Sequence, residues 1–392
     1  MRILLLAPQP FFQNRGTPIA VRLLTEELAD MGHRVDLLVF AEGEDIAIPH
    51  VRIIRVTPLP GLRDIRPGFS CKKLCCDVLM FFKAFQLMCR RKYDEIHAVE
   101  ESVFIALVLK KIFAIPYVYD MDSSLSRQLA DRYACLGRIA VLLEWFEKKA
   151  VRCSNGVVAV CQSLEDMARG FAPDKPILRL EDISLLQPAS ERCENIRKEY
   201  NISGKVIMYV GNLEPYQGID LLLESFALID GARVEASLVI IGGSAQDQRR
   251  YQEKTRALGI DDRVLFLGPR PVERLGDYLR QADILVSPRI HGNNTPMKIY
   301  SYLDSGRPLL ATRLPTHTQV LNDSVAMLVA PEPGEFARGM VTLIVDAEKR
   351  NQLAAAAAEL VEKEFSRSAF HRKLEQFYEQ LEETLIYTRH CA

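Results

Sequence analysis

The stretch SPRIHGNNTPMKIYSYLDSGRP, residues 287–308, carries the densest group of side chains in the chain that could bind a ligand. An amide-rich loop leads into an apolar helix that stops at a Gly-Arg-Pro sequence. Within ten residues the loop and the first helical turn offer six hydrogen-bond donors, which are Arg289, His291, Asn293, Asn294, Thr295 and Lys298. Such a density of donors predicts a ligand-binding turn.

A second candidate loop, PQPFFQNRGTPIA, follows a buried strand at the start of the chain. Gly16 and Thr17 precede a helix with Pro18 in its first turn, so free backbone N–H groups and the helix dipole would favour an anion there. Thr17 would equally serve as an ordinary helix cap. Anion binding and simple capping both stay open for this loop.

Acidic side chains follow a later strand in YDMDSSLSRQL, which contains Asp120, Asp122 and Ser123. Two carboxylates two residues apart suit a general base or a metal ligand. Asp122 alone would equally suit a helix cap. No residues around them complete a clear set of metal ligands.

Glycines bound the remaining loop, YVGNLEPYQGIDLLL. Gly211 permits close approach of the backbone to a ligand, and Gly218 precedes the next helix. One such loop is also typical of a plain turn. Four of them at the ends of strands favour a shared binding role, because doubly wound sheets bind ligands outside the carboxyl ends of their strands.

The strands that precede these loops are apolar on both faces, as in MRILLLAP, KVIMYVGN and SLVIIGG. Strands of this kind, alternating with amphipathic helices, predict parallel sheets covered on both faces. The alternation occurs twice, on either side of an irregular charged stretch at 180–204, and 392 residues exceed what one core supports. We therefore predict an α/β protein with two Rossmann-like domains, 1–190 and 191–366.

Charge and cysteine content exclude several classes of protein. A net charge of -1 argues against a general nucleic-acid binder, and nine cysteines without repeated CxxC or Cys/His spacing indicate neither a zinc site nor a disulfide framework. The chain begins directly with a strand, so no signal peptide is predicted, and no apolar run reaches the roughly 18 residues of a membrane span. We expect a cytoplasmic protein, either soluble or peripheral on the inner face of the membrane.

Ordered motifs cover residues 206–330: G-N-L-x-P-x-x-G-I-D-x-L-L-x-S-F, I-I-G-G, V-x-F-L-G, A-D-I-L-V-S-P and S-G-R-P-L-L-A-T. In order and spacing they resemble the donor-binding domain of family-4 glycosyltransferases of the GT-B fold. Through RILLLAP, H-R-V and YDEIHAVE, the first half is similar to the acceptor domain of that family. The resemblance implies two domains facing across a cleft, with a C-terminal helix in 367–392 crossing back to the first.

The resemblance also implies a reaction. Such enzymes move a sugar from a nucleotide-sugar to the hydroxyl of a sugar or lipid-linked acceptor, with retention of configuration and with neither a bound metal nor a separate cofactor. Donors fixed around the diphosphate stabilise the charge that develops on the leaving nucleotide. Two alternatives stay open: a catalytically weak sugar-nucleotide-binding or scaffold protein of the same fold, and a sugar-nucleotide epimerase.

Several positions depart from the family pattern. Where many members place Arg and Lys against the diphosphate, this chain has Asn212 and Gln217, which supply no charge. The paired glutamates of the family fall at Asn293 and Ser301, and Ser301 takes the place of the one that usually binds ribose. Asp122 occupies the position of the usual catalytic histidine.

We therefore expect a subgroup enzyme that binds its donor through different groups. Asp122 would be the catalytic residue and would orient the acceptor or the donor sugar. Glu100 and Ser123 are expected on the acceptor side, together with His97, which would equally be a structural histidine. The expected donor-binding residues are Gly16, Thr17, Gly211, Asn212, Gln217, Arg289, His291, Asn293, Asn294, Thr295, Lys298 and Ser301.

Residues 72–92 combine a basic flank with large apolar side chains at helical spacing. A helix of this kind can lie in the interface of an anionic membrane. It would equally serve as a core helix with an ordinary basic end. Because lipid-linked acceptors are common in the family that the chain resembles, we predict contact with an anionic membrane surface. The apolar residues are Leu74, Val78, Phe81, Phe82, Phe85 and Met88.

Overall fold

A computed structural model describes residues 1–13, 16–62, 65, 70–127, 137–187, 194–232 and 234–390. The chain divides into two compact units, one formed by Met1–Glu181 with His371–Ala392 and the other by Asp182–Phe370. Each unit contains one parallel sheet with helices, which confirms the predicted α/β class.

The first unit is built on seven parallel strands whose side chains are largely buried, because apolar residues continue along both faces. The strands are β1 Arg2–Ala7, β2 Arg34–Val39, β3 Val51–Arg55, β4 Glu95–Val99, β5 Tyr117–Met121, β6 Gly156–Ala159 and β7 Ile177–Arg179. Their spatial order is β3-β2-β1-β4-β5-β6-β7. The helices are α1 Gly16–Asp30, α2 Cys71–Arg90, α3 Ser102–Phe113, α4 Gly137–Cys153 and α5 Gln162–Phe171.

The second unit is built on six parallel strands, β8 Lys205–Val210, β9 Ala236–Ile241, β10 Val264–Gly268, β11 Ile284–Ser287, β12 Leu309–Thr312 and β13 Met327–Val329. Their spatial order is β10-β9-β8-β11-β12-β13, so β8 and β11 are neighbours although β9 and β10 lie between them in the chain. The helices are α6 Ile196–Glu199, α7 Ile219–Leu228, α8 Ala245–Leu258, α9 Leu275–Leu279, α10 Lys298–Asp304, α11 Pro315–Thr318, α12 Pro333–Val345 and α13 Ala347–Leu360.

The unit boundaries differ from the expected ones at 190/191 and 366/367. In the structure they fall between Glu181 and Asp182 and between Phe370 and His371. The first moves because the segment after residue 181 packs on the second unit, where Leu186 contacts the hydrophobic core.

The C-terminal helix, α14 Arg367–His390, starts in the second unit and continues in the first. His371 Nδ1 donates a 2.7 Å hydrogen bond to Glu27 of α1. Phe377 packs on Gly156 of β6, where an added Cβ would stand 2.7 Å from the ring, so only glycine admits the helix this closely. The predicted return of this helix to the first unit is confirmed.

Candidate functional site

Two loops meet at the carboxyl ends of the neighbouring strands β8 and β11. The first loop, 211–218, follows β8, and the second, 288–297, follows β11. Gly218, at φ 75°, presses so closely on the second loop that an added Cβ would lie 2.0 Å from the carbonyl oxygen of Pro288. The amide of Ile290 donates a 3.0 Å hydrogen bond to the carbonyl of Tyr216. The two loops are therefore joined backbone to backbone, and glycine is required at the contact.

Lys298, the first residue of α10, lies at this junction. Its Nζ donates a 3.1 Å hydrogen bond to Gln217 Oε1 and stands 3.9 Å from the centre of the Tyr209 ring. Burial, and secondarily the charge of Arg289, lower the pKa of Lys298 well below its usual value. An anion placed beside Nζ would relieve both effects, because it would favour the charged ammonium.

Arg289 supplies the second cation of the junction. Its guanidinium lies over the Tyr216 ring at 5.2 Å, and its Nε donates a 2.6 Å hydrogen bond to the carbonyl of His291. Gly292, at φ 127°, leaves room for it, since an added Cβ would lie 2.2 Å from Nη2. Desolvation lowers the pKa of Arg289. Sequence prediction grouped Arg289 with Lys298, and the structure brings their charges close enough to interact.

A buried polar layer beneath this loop was not predicted from the sequence. His317 is fully buried, and its Nδ1–H donates to the Thr312 carbonyl at 2.8 Å while its Nε2 accepts from Ser287 Oγ at 2.8 Å. Burial lowers the pKa of His317 to about 4, so the ring is neutral. Thr312 Oγ1 in turn donates to the Arg289 carbonyl at 2.5 Å. In the sequence, this layer could have been suspected from TRLPTH, which begins at the end of a predicted strand.

The amide-rich part of the loop is held by its backbone. The carbonyl of Asn293 accepts a 2.7 Å hydrogen bond from Gln319, and that of Asn294 accepts one of 2.7 Å from Thr316. His291 and Asn293 are exposed, whereas Thr295 is only 8% exposed. Among the described residues, the Thr295 hydroxyl has no hydrogen-bond partner. The backbone of the loop is therefore held in place, and the buried Thr295 hydroxyl could form a hydrogen bond with a ligand.

Gly211 and Asn212 follow β8 as the sequence predicts. The amide of Gly211 donates to the Ile241 carbonyl at 3.0 Å, so it completes the sheet and is not available to a ligand. An added Cβ would stand 3.2 Å from Lys298 Nζ, so the glycine keeps the space beside that ammonium free. The carbonyl of Asn212 accepts from Tyr209 Oη at 2.6 Å, and its side chain is exposed.

Ser301 has a different partner from the predicted ribose. It is fully buried, and its Oγ accepts a 3.0 Å hydrogen bond from the amide of Leu185. A ribose could reach this hydroxyl only after the segment around Leu185 moved away. In the structure Ser301 Oγ therefore holds this segment on α10, and its contact with a ribose stays a prediction.

In the first unit, Gly16 and Thr17 form the first turn of α1 and do not precede it. Gly16 is exposed, Thr17 is half-buried and Pro18 is buried. Residues 14 and 15 of the predicted loop lie outside the described part of the chain. The placement leaves both the anion-binding and the capping interpretations of this turn as predictions.

Glu100 and Ser123 lie side by side because they follow the paired strands β4 and β5. Ser123 Oγ donates a 3.0 Å hydrogen bond to Glu100 Oε1, and Lys73 of α2 forms ion pairs with Glu101 and, at 3.9 Å, with Glu100. Asp122, the neighbour of Ser123, is half-buried at the same edge. Three of the predicted residues are therefore brought together.

Glu147 of α4 fixes the turn that follows Asp122. This carboxylate is fully buried and accepts hydrogen bonds from the amide of Leu125 at 2.7 Å and from the hydroxyls of Ser124 at 3.0 Å and Ser126 at 2.5 Å. Sequence reasoning missed it, because its distance from Asp122 along the chain gives no local signal.

His97 does not face the acceptor side, which corrects that expectation. The ring is completely buried within β4, where Nε2 donates to Asp120 at 3.2 Å and Nδ1 accepts from the Tyr378 hydroxyl of α14 at 2.7 Å. Both nitrogens are satisfied by the protein. Its role is structural, since it links α14 to two strands.

Among the described residues, no group of three or more His, Cys, Asp or Glu side chains could hold a metal ion. Within the same part of the chain, no helix is both long enough and apolar enough to span a bilayer.

Comparisons with known proteins match this architecture. A model for glycosyltransferase family 4 matches residues 15–177, and one for glycosyl transferases group 1 matches residues 204–346. The chain is 26% identical to a D-inositol 3-phosphate glycosyltransferase of Corynebacterium jeikeium, over 93% of this chain and 92% of that one.

Two solved structures share the fold. Sucrose-phosphate synthase from Thermosynechococcus elongatus matches with a TM-score of 0.77 at 21% identity, over 98% of this chain and 99% of that one. Anabaena HepE in complex with UDP-glucose matches with a TM-score of 0.73 at 20% identity, over 98% of this chain and 100% of that one. Both sheets, both family models and a full-length relative agree, and the chain belongs to the family-4 glycosyltransferases of the GT-B fold, enzymes that transfer a sugar.

Proposed function

We propose that this glycosyltransferase moves a sugar from a nucleotide-sugar to an acceptor hydroxyl with retention of configuration, and that its second unit binds the donor. The observation that carries the proposal is the position of the Lys298 ammonium at the joined loops, where Nζ donates a 3.1 Å hydrogen bond to Gln217 Oε1 with the charge of Arg289 beside it. A diphosphate supplies the negative charge that both cations lack. Thr295 would donate its hydroxyl to the same group.

In the reaction, the acceptor oxygen forms a bond to the anomeric carbon while the bond from that carbon to the donor phosphate breaks. The acceptor proton passes to the departing phosphate oxygen. Lys298 and Arg289 stabilise the charge that develops on this phosphate, and the layer around His317 holds the loop in place so that little reorganisation is needed. No metal ion is assigned to this step.

The acceptor edge belongs to the first unit in this proposal. Asp122 orients the acceptor hydroxyl or the donor sugar, and Glu100 with Ser123 forms a second hydrogen-bonding pair beside it. Three features position this pair. Lys73 forms an ion pair with Glu100, β4 and β5 are paired in the sheet, and Glu147 holds the turn after Ser123. Gly16 and Thr17 at the start of α1 would approach the diphosphate or the acceptor.

A lipid-linked acceptor at an anionic membrane is the third part of the proposal. On α2 the side chains of Leu74, Val78, Phe82 and Phe85 are exposed, although each is large and apolar. Phe85 contacts Phe113 at the end of α3, with ring centres 5.3 Å apart. Phe81, Met88 and Phe113 pack against the core of the first unit, so α2 has a core face as well as the exposed apolar face that supports membrane contact.

Helix α4 extends this surface. It exposes Val141, Leu142, Trp145 and Phe146, and Lys149 lies 4.9 Å above the Trp145 ring. Aromatic residues with basic neighbours suit the headgroup region of an anionic bilayer. Lys73, which lies in the basic flank by sequence, is paired with Glu101 instead and does not join the surface.

A donor panel tests the proposed function. UDP-, GDP-, ADP- and CMP-sugars are added separately, and the shift in melting temperature and the release of nucleotide are measured with and without acceptor. UDP-glucose is the first to try, because HepE was solved with it. A shift and turnover with one donor class, and an α-linked product from an α-linked donor by NMR, are expected. An inverted product would contradict retention, and no shift with any donor would contradict the donor site.

A further inference from the structure

A second concave surface lies at the amino ends of strands β1, β2 and β3 of the first unit, opposite the strand ends that carry Glu100 and Ser123. A cavity of about 290 Å³ opens there. Its lining combines four arginines and a histidine with a single carboxylate. The residues are Arg2, Arg34, His50, Arg52, Arg91 and Asp36.

The arginines of this pocket are arranged without enough negative charge to balance them. Arg2 and Arg34 are partners in the parallel register of β1 and β2, so two like charges are neighbours at the start of these strands. Within the described part of the chain, neither guanidinium has a hydrogen-bond or ion-pair partner. Among the lining residues, four arginines less Asp36 leave three excess positive charges, and Asp94, which accepts a 2.7 Å hydrogen bond from the Arg2 amide, adds one carboxylate beside the pocket.

The one carboxylate that lines the pocket is already in use. Asp36 Oδ2 accepts from Arg52 Nη2 at 2.7 Å and from the Tyr93 hydroxyl at 2.5 Å, and Arg91 stands 3.7 Å away. Arg52 retains a buried Nε without a partner among the described residues. Asp36 therefore orients one guanidinium into the pocket but cannot satisfy the others.

We propose that this pocket binds the phosphate of a phosphomonoester. Guanidinium forks match phosphate oxygens in bidentate fashion, and a dianion would cancel two of the three excess charges. The pocket is separate from the sugar-transfer site, because strands of five or six residues place about 17–20 Å between the two edges of the sheet. Arg91 directly follows α2, so the phosphate can belong to a lipid headgroup at the membrane surface or to a soluble ester.

Calorimetric titration with glycerol 3-phosphate at constant ionic strength tests the proposal. Wild type, the double variant Arg2→Gln/Arg34→Gln, Lys298→Met and the surface control Arg169→Gln are compared. Binding should weaken at least about tenfold in the double variant only, since each lost charge-assisted hydrogen bond contributes roughly that factor. Equal binding by the double variant, or loss of binding in Lys298→Met, would overturn the proposal and leave the donor proposal unaffected.

Vesicles separate the two sources of phosphate. Wild type and the double variant are floated with phosphatidylcholine vesicles that contain or lack phosphatidic acid. A preference for phosphatidic acid that disappears in the double variant assigns the pocket to a lipid headgroup. Titration by glycerol 3-phosphate without a vesicle preference assigns it to a soluble ester. Absence of both responses rejects the site.

Discussion

Ser123 and Glu100 share a 3.0 Å hydrogen bond across the ends of two paired strands. Glu100 adopts φ 49°, a left-handed conformation unusual for a residue with a side chain, and its amide donates to the Asp120 carbonyl at 2.9 Å. Burial, then the neighbouring charge of Glu101, raise the pKa of Glu100 to about 7. The proposed acceptor edge thus contains a carboxyl group whose charge changes near neutral pH.

Asp122→Ala is expected to lower sugar transfer about 100-fold or more, because an acceptor or donor sugar that is displaced by even a small distance loses that much rate. Donor binding, measured by thermal shift, should be unchanged. Ser123→Ala is the matched control at the adjacent position and should have a smaller effect on turnover. Full activity of Asp122→Ala would remove this residue from the mechanism.

Lys298→Met should weaken donor binding about 10- to 100-fold, since a hydrogen bond to a charged group contributes roughly 1.5–3 kcal/mol. The turnover rate should fall as well, because the leaving phosphate loses stabilisation. The KM for the donor and kcat are measured beside Lys363→Met, an exposed lysine of the same unit. Identical constants for the two variants would show that Lys298 does not contact the donor.

Ser301→Ala should destabilise the protein by about 1–3 kcal/mol and leave the donor KM unchanged. The reason is that the amide of Leu185 loses its acceptor while no donor contact is lost. Urea denaturation and donor kinetics distinguish this outcome from ribose binding. A raised KM with unchanged stability would restore the nucleotide contact expected from the sequence.

The free energy of unfolding should decrease as the pH rises towards 8, because of the buried carboxyl group of Glu95. Burial raises the pKa of this completely buried carboxyl to about 8, so only the folded state holds its proton between the unfolded value and pH 8. The free energy of unfolding then decreases by up to about 1.4 kcal/mol per pH unit across that range. Glu95→Gln should reduce this slope in urea titrations at pH 5 and pH 8. The same slope in both proteins would mean that Glu95 ionises freely in the folded state.

Phe82→Ser combined with Trp145→Ser should reduce flotation with anionic vesicles about tenfold, because two large exposed apolar side chains would otherwise enter the interface. Leu228→Ser combined with Val345→Ser, equally exposed on the second unit, is the control and should float like wild type. Donor turnover without lipid should be the same in all three. If wild type fails to float at low salt, the membrane proposal is rejected.

The fold could be predicted because apolar periodicity is local and strong. Continuous apolar strands, as in β1 and β8, indicate burial on both faces without any knowledge of their neighbours. In a parallel sheet the loops after the strands all lie at the same end. Glu100 and Ser123, which follow two such strands, could therefore be expected near each other. The exact boundary between units escaped prediction, because it depends on which unit the segment after residue 181 packs against.

Side-chain partners were harder to predict. Lys298 and Gln217 are far apart in the chain, and only the order of β8 and β11 in the sheet makes them neighbours. His97 stands in an apolar strand, so its burial could be anticipated, but Tyr378 as its partner could not. Ser301 was assigned by position within a family pattern, and that assignment carried no information about Leu185.

The close contact of Gly218 with the Pro288 carbonyl has a consequence for how this enzyme can change. The Gly218–Pro288 contact and the hydrogen bond from the Ile290 amide to the Tyr216 carbonyl involve no side-chain charge, and Arg289 and Lys298 add charged hydrogen bonds to the same two loops. We expect the same backbone contacts whether Arg, Lys and Glu or, as in this chain, amides and a serine occupy the positions around them. We therefore expect single substitutions at Asn212 or Asn293 to leave this backbone contact intact, whereas any side chain at Gly218 would clash with the Pro288 carbonyl.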